Sequence, residues 1–173
     1  KYIKTVVGVN LGDLLSSESK SGLNRYISGN VLTGTQVEKD GFLGFYSTEV
    51  TVIAEGNEEE FLGWILPGFN KFSLSRTFFS WLRPNKVYDL NTAMHGEERA
   101  FVMTGELERV FPFDIFPVQL IKSIIIRDIE KMEQLGIYEV VEEDFALCEV
   151  SDPSKMPLQK IVREGLNFLR AEV

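Results

Sequence analysis

The chain has 173 residues, 44% of them apolar and 13 of them Phe, enough to bury a core without covalent staples. Its 18 Lys and Arg against 26 Asp and Glu leave a net charge of −8, which argues against nucleic acid as a partner. With one Cys and one His, neither an internal disulfide nor a Cys/His zinc site can be assembled, and a reducing, cytosolic compartment fits best.

Lys1 stands in place of an initiator Met, so the chain reads as a piece of a longer polypeptide. Thr5 to Val9 is a β-branched run, and Asn10 before Leu11, Gly12, Asp13, Leu14 and Leu15 predicts a capped helical turn. Ser16 to Asn24 reads as a loop. Arg25 to Ser28 and Val31 to Thr33 read as strand pieces flanking Gly29. Val50 to Val52 alternates with Thr51, and the acidic run Glu55 to Glu60 connects it to Phe61, Leu62, Trp64, Ile65 and Leu66, a predicted hairpin with a solvated tip.

Pro67 to Ser75 reads as a connector, and Arg76 to Leu82 as a helical turn or two stopped by Pro84. Val87 to Leu90 and Arg99 to Thr104 are further candidate strands. From Pro112 the pattern turns helical. Pro117 suits the first turn of a helix carrying Leu120, Ile121, Ile124 and Ile125, and Gly136 suits the end of a second with Ile129, Met132 and Leu135. A third, acidic helix is expected near Glu142 to Glu149. Pro157 opens the last, where Leu158, Ile161, Val162, Gly165, Leu166 and Leu169 recur at helical spacing. The apolar run from Ile115 to Ile126 is interrupted by Gln119 and Lys122 and falls short of the roughly 20 residues that span a membrane.

Candidate chemistry is sparse. His95 has no Ser, Cys or second His nearby to activate and reads as a surface residue. Cys148 lies among apolar neighbours without a cation to lower its pKa, and reads as a buried structural thiol. Gly8 and Gly12 match no phosphate-cradling loop. Trp64, Phe69, Phe72, Phe78, Phe79 and Trp81 crowd one stretch with Lys71 and Arg76, which can be core or a contact surface.

Three strings of this chain, in order, resemble the A subunit of the sodium-translocating NADH:quinone oxidoreductase. They are Gly63-Trp64 with Pro67-Gly68-Phe69-Asn70-Lys71-Phe72-Ser73-Leu74-Ser75-Arg76-Thr77-Phe78; Glu108-Arg109-Val110-Phe111-Pro112-Phe113-Asp114-Ile115-Phe116-Pro117; and Glu142-Glu143-Asp144-Phe145-Ala146-Leu147-Cys148. The opening Thr5 to Leu15 adds a fourth match. The resemblance implies the C-terminal portion of a peripheral subunit on the cytoplasmic face of the bacterial inner membrane. There it would dock on the other, especially the membrane-embedded, subunits of a pump that passes electrons from NADH to ubiquinone. NADH, flavins, iron-sulfur centres and quinone would be used through other subunits, with no cofactor in this stretch.

This family in turn resembles relatives that carry two iron-sulfur runs of the form C-x2-C-x2-C-x3-C-P. Placing Pro117 at the end of the first run puts Glu106, Arg109, Pro112 and Phe116 at the ligand positions. Placing Pro153 at the end of the second puts Glu142, Phe145, Cys148 and Asp152 there. One thiol survives, so the resemblance implies a helical scaffold without its clusters. The expected fold class is α+β: a β-grasp-like region over 1–111, then a helical domain over 112–173 resembling a cluster-free dicluster ferredoxin module. The expected role is structural and docking, with Trp64, Phe69, Lys71, Phe72 and Arg76 as partner contacts. The alternative is a quinone or small-molecule site lined by the same aromatics.

Overall fold

A computed structural model describes residues 2–16, 22–56, 61–63, 65–97 and 99–172. The chain divides into two compact units, Lys1–Ala93 and Met94–Val173. It is mixed α and β, with a small antiparallel sheet in the first unit and five α-helices in the described residues of the second.

In the first unit, α1 (Leu11–Leu15) begins as the sequence predicts: the Asn10 side chain accepts from the Asp13 N–H at 3.2 Å and donates to the Asp40 carbonyl at 2.7 Å. Leu11 is fully buried beneath it. The sheet has the order β2-β1-β3, with β1 (Asn24–Ser28) central, β2 (Thr35–Val37) on one side and β3 (Val50–Ala54) on the other. Tyr26 faces Val37 across one ladder and Val52 across the other. Only the central strand buries its residues fully, at Tyr26, Ile27 and Ser28, as expected where both edges are paired.

Several expected strands are not strands. Thr5 to Val9 forms no ladder, and Val6 and Val7 stay 73% and 71% exposed. Val31 to Thr33 is a turn because Asn30 Oδ1 accepts from both the Leu32 and Thr33 N–H groups at 2.8 Å, offering the backbone a local alternative to the sheet. Gly34 follows it, and a Cβ there would lie 2.5 Å from Ile27 Cγ2. The expected hairpin between Val50–Val52 and Phe61–Leu66 is replaced by pairing of β3 with β1, while Phe61 to Gly63 form a turn. Alternation marked β3 as a strand but said nothing of its partner, 22 to 30 residues upstream. Residues 57–60 of the expected tip lie outside the described residues, and Glu55 at its start is tied to Arg25. Val87 to Leu90 carries no ladder, its neighbour Asn91 making a single parallel bridge to Ala54. Arg76 to Leu82 yields one 3-10 turn, Phe79–Leu82.

The second unit holds α2 (Glu106–Val110), α3 (Pro117–Ile125), α4 (Ile129–Gln134), α5 (Ala146–Ser151) and α6 (Leu158–Glu172). Pro117 sits in the first turn of α3, where its missing N–H is not needed. Leu120, Ile121 and Ile124 are buried as expected, whereas Ile125 is 49% exposed. Asp128 caps α4 by accepting from the Lys131 N–H at 3.1 Å, and Gly136 at φ 85° follows its C-terminal end. The expected acidic helix begins as a 3-10 turn, Glu142–Phe145, and continues as α5. On α6, Leu158, Val162, Gly165 and Leu169 form the buried stripe.

The boundary between units falls at 93/94, not at the expected 111/112. Burial explains the difference. Leu107 and Phe111 are in the helical core and Phe101 packs on it, so the approach to α2 belongs with the helices. Arg99 to Thr104 is held without a ladder, its Arg99 N–H donating to the Ser154 carbonyl at 2.9 Å.

Helices α3 and α6 meet tightly at Gly165, where an added Cβ would lie 2.7 Å from Ile124 Cγ2. Gly165→Ala is therefore expected to overpack this contact by about 1–3 kcal/mol, offset by up to about 1 kcal/mol of helix propensity. A urea titration followed by circular dichroism should show the net loss, and Ile124→Ala, which removes the Cγ2 methyl, should cost less in the Gly165→Ala background than in the native chain. An unchanged midpoint would mean the helices are farther apart.

Candidate functional site

Two groups of residues singled out by the sequence lie in different units and differ in character. In the first unit, residues 65–88 run as turns around the Phe79–Leu82 3-10 turn. Phe79 N–H donates to the Pro67 carbonyl at 2.9 Å, and Phe69 meets Phe79 with ring centroids 5.9 Å apart. Gly68, at φ 60°, is required by contact: a Cβ would fall 2.5 Å from the Phe78 ring. Lys71 is drawn inward, its ammonium donating to the Gly63 carbonyl at 2.6 Å and lying 5.2 Å from the Phe78 ring centre. Phe72 packs edge-on against Tyr88 at 5.5 Å. Lys86 donates to the Phe69 carbonyl at 3.2 Å and to the Asn70 side chain.

Of the expected contact residues, Phe69, Phe72 and Arg76 are exposed, Lys71 is half-buried, and Trp64 lies outside the described residues. The stretch from Phe61 to Tyr88 contains no Asp or Glu but four cations, Lys71, Arg76, Arg83 and Lys86. An open depression of about 540 Å3 is lined by Asn70, Arg83, Pro84, Asn85 and Lys86. These walls carry two cations and two amides, with Pro84 and the aliphatic stems of Arg83 and Lys86 supplying apolar lining between them, and none of the exposed aromatics is among them.

In the second unit, the two sets of residues that the resemblance aligns with cluster ligands part company. Glu106 and Arg109 pair with each other at 3.1 Å on α2, while Pro112 and Phe116 are exposed. The second set is built into the interior. Phe145 and Cys148 are completely buried and Asp152 nearly so, while Glu142 forms an ion pair with Arg163 of α6. Phe145 stacks against Phe111 at 4.7 Å, filling space with apolar volume. Asp152 follows α5 and accepts from the Ser154 N–H through Oδ1 and the Met156 N–H through Oδ2, each at 3.0 Å. Ser154 then donates to the Ala100 carbonyl at 3.1 Å. The Cys148 thiol points to the Leu107 carbonyl at 3.8 Å. Burial, with the negative charges of Glu108 and Asp152, pushes its pKa up to about 11, so it stays protonated and unreactive at neutral pH.

Among the described residues, no three His, Cys, Asp or Glu side chains gather in a way that could hold a metal ion. His95 is exposed on its loop, as expected. Sequence reading missed a polar fork in the first unit. Arg25 donates to Glu55 through Nε at 3.1 Å and through a second nitrogen, and Thr92 donates to the same carboxylate at 2.8 Å. The Arg25 hydrogen bond, then that of Thr92, holds the Glu55 carboxyl below its usual range. No local signal links positions 25, 55 and 92; only the pairing of β1 with β3 brings the first two together.

Comparison with known proteins covers both units. A family model described as "NQRA C-terminal domain" matches residues 1–39, which include α1, β1 and β2. The A subunit of the Na(+)-translocating NADH-quinone reductase of Haemophilus influenzae (strain PittEE) is 42% identical over 99% of this chain and 38% of its own length. Its counterpart in Pasteurella multocida (strain Pm70) is also 42% identical, over 99% of this chain and 39% of its own. That of Rhodopirellula baltica is 40% identical over 99% and 38% respectively. The chain thus spans about two fifths of the length of the curated relatives it matches. The similarity therefore runs through both units. Over nearly its whole length the chain is similar to the A subunits of Na+-translocating NADH-quinone reductases.

Two outcomes test the interior set. Asp152→Ala is expected to strand two backbone N–H groups and cost about 2–4 kcal/mol in chemical denaturation, with Asp152→Asn costing less because its carbonyl still accepts. For Cys148, the folded state keeps its proton between the ordinary thiol value of 9.0 and about 11. The folded state binds more protons than the unfolded one in that window, so stability falls as pH rises through it. Cys148→Ala should reduce that slope in thermal melts, the rest coming from groups such as Tyr138 whose pKa is also raised by its bond to Glu133, and maleimide should label native Cys148 only after denaturant is added.

Proposed function

We propose that this chain is a structural and docking module of the A subunit in a Na+-translocating NADH-quinone reductase, and carries no redox centre of its own. The carrying observation is the homology that runs through both units at 42% identity. In this reading the parent complex couples electron transfer from NADH to ubiquinone to sodium transport. The chain sits peripherally on the cytoplasmic face of the bacterial inner membrane and touches the membrane-embedded subunits. That no helix among the described residues is long and apolar enough to cross a membrane is compatible with a peripheral position.

The interior of the second unit supports the cofactor-free reading. At the positions where thiolates would hold iron, Phe145 packs an aromatic core and Asp152 holds backbone amides. We read this unit as descended from a dicluster ferredoxin scaffold and the first as β-grasp-like. The turn-rich, acid-free stretch 61–88 is the docking element. Its aromatics Phe69, Phe72, Phe79 and Trp81 are about half exposed and none of them lines the depression beside them, which favours docking over quinone binding.

The test is co-purification of the full-length A subunit with the membrane subunits. Phe69→Ser with Phe72→Ser should keep the far-ultraviolet spectrum and melting temperature while reducing recovered complex by roughly tenfold, as loss of buried aromatic anchors does. Undiminished recovery would remove this stretch from the docking surface. An optical spectrum of the same preparation with the visible absorbance of an iron-sulfur cluster, abolished by substituting Cys148, would overturn the cofactor-free reading.

A further inference from the structure

We propose that the acid-free stretch seats on anionic phospholipid, with Arg76 and Arg83 meeting headgroup phosphates and the neighbouring aromatics entering the headgroup boundary. This rests on the docking reading above and names what part of that docking touches.

Charge is the first ground. In a chain of net −8, residues 61–88 contribute four positive charges and no negative one, so the remainder carries −12. An anionic bilayer repels the remainder as a whole and attracts this stretch, the longest acid-free and most cationic one in the chain, which favours approach by it. The cations are not spent on internal acids. Lys86 is engaged by Asn70 and the Phe69 carbonyl, but Arg76 and Arg83 are exposed and, among the described residues, their guanidinium groups have no ion pair or hydrogen bond.

The second ground is the apolar surface beside them. Phe72 and Trp81 are about half exposed, at 50% and 51%, and Leu74 and Leu82 more so, at 61% and 57%. Trp and Phe flanked by Arg and Lys is the side-chain combination that settles at a membrane interface, with rings at headgroup depth and guanidinium groups reaching phosphate. The third ground is the open depression of about 540 Å3 whose walls are Asn70, Arg83, Pro84, Asn85 and Lys86. Two cations and two amide side chains with no acid suit a phosphodiester, which offers only acceptors.

The experiment is co-sedimentation of the full-length A subunit, without the other subunits, on vesicles of phosphatidylglycerol or of phosphatidylcholine. Binding to phosphatidylglycerol but not to phosphatidylcholine is expected, and raising the salt should weaken it. Arg76→Gln with Arg83→Gln should lower the partition coefficient by roughly 25-fold, at about fivefold per cation near the surface, without changing the melting temperature. Trp81→Ala should also weaken it, with the salt dependence retained. No binding to phosphatidylglycerol, or binding indifferent to the two arginines, overturns the proposal. Displacement by millimolar inorganic phosphate also overturns it, because the site would then be one for free phosphate.

The two readings fail differently. If the arginines are needed to recover the complex but not to bind vesicles, the occupant is an acidic protein surface, and docking survives without lipid. If vesicle binding needs them while the Phe69 and Phe72 variant still assembles, lipid contact stands and docking through this stretch falls.

Discussion

The helical unit depends on one carboxylate. Asp152 lies almost fully buried at the exit of α5, and its two oxygens take the N–H groups of Ser154 and Met156. Those bonds shape the chain between α5 and α6. Ser154, held in place by them, receives the Arg99 N–H at its carbonyl and donates its hydroxyl to Ala100. The strand-like run 99–104 is thereby fastened to the helices, bringing Phe101 onto their core and setting the boundary between units ahead of α2. A buried carboxylate is costly unless its oxygens are used, and here both are.

The helices other than the short α2 (Glu106–Val110), which lay inside the expected β-rich region, were legible from the sequence because each is specified locally. Pro117, Asp128, Gly136 and Pro157 mark ends by backbone chemistry, and the α6 stripe of Leu158, Val162, Gly165 and Leu169 repeats with the period of the helix. The sheet was legible only in part. Alternation found β1 and β3 but could not pair them, because a ladder between residues 24–28 and 50–54 is set by tertiary contact. Where a single side chain competes with the sheet, as Asn30 does over Val31 to Thr33, β-branched residues mislead.

The candidate sites divide along the same line. That Cys148 would be buried followed from its neighbours, whereas the burial of Phe145 and Asp152 had no such signal. The Arg25–Glu55–Thr92 fork did not, since its three members come from positions with no shared pattern. The exposure of the aromatics in 65–88 was also not decidable from composition. Phe and Trp at irregular spacing on a turn-rich segment have no periodic face to assign inward. Only the acid-free character of 61–88, a plain reading of charge, sets that segment apart from the rest.

Under the proposed ancestry, the two ligand sets show how a scaffold outlives its cofactor. A cluster thiolate binds iron and, through its charge, also attracts backbone N–H groups. When the iron is lost, buried thiolates would take up protons, because an unpaired buried anion is strongly unfavourable. Three remedies are visible in the second set. Cys148 holds its proton, as its raised pKa requires; Phe145 replaces polar contact with aromatic volume; and Asp152 keeps the charge but satisfies it with backbone N–H donors. The first set needed none of these, because Glu106, Arg109, Pro112 and Phe116 lie toward solvent, where polarity and size are weakly constrained. Burial therefore decides which of these eight positions matter to the fold, whatever their ancestry.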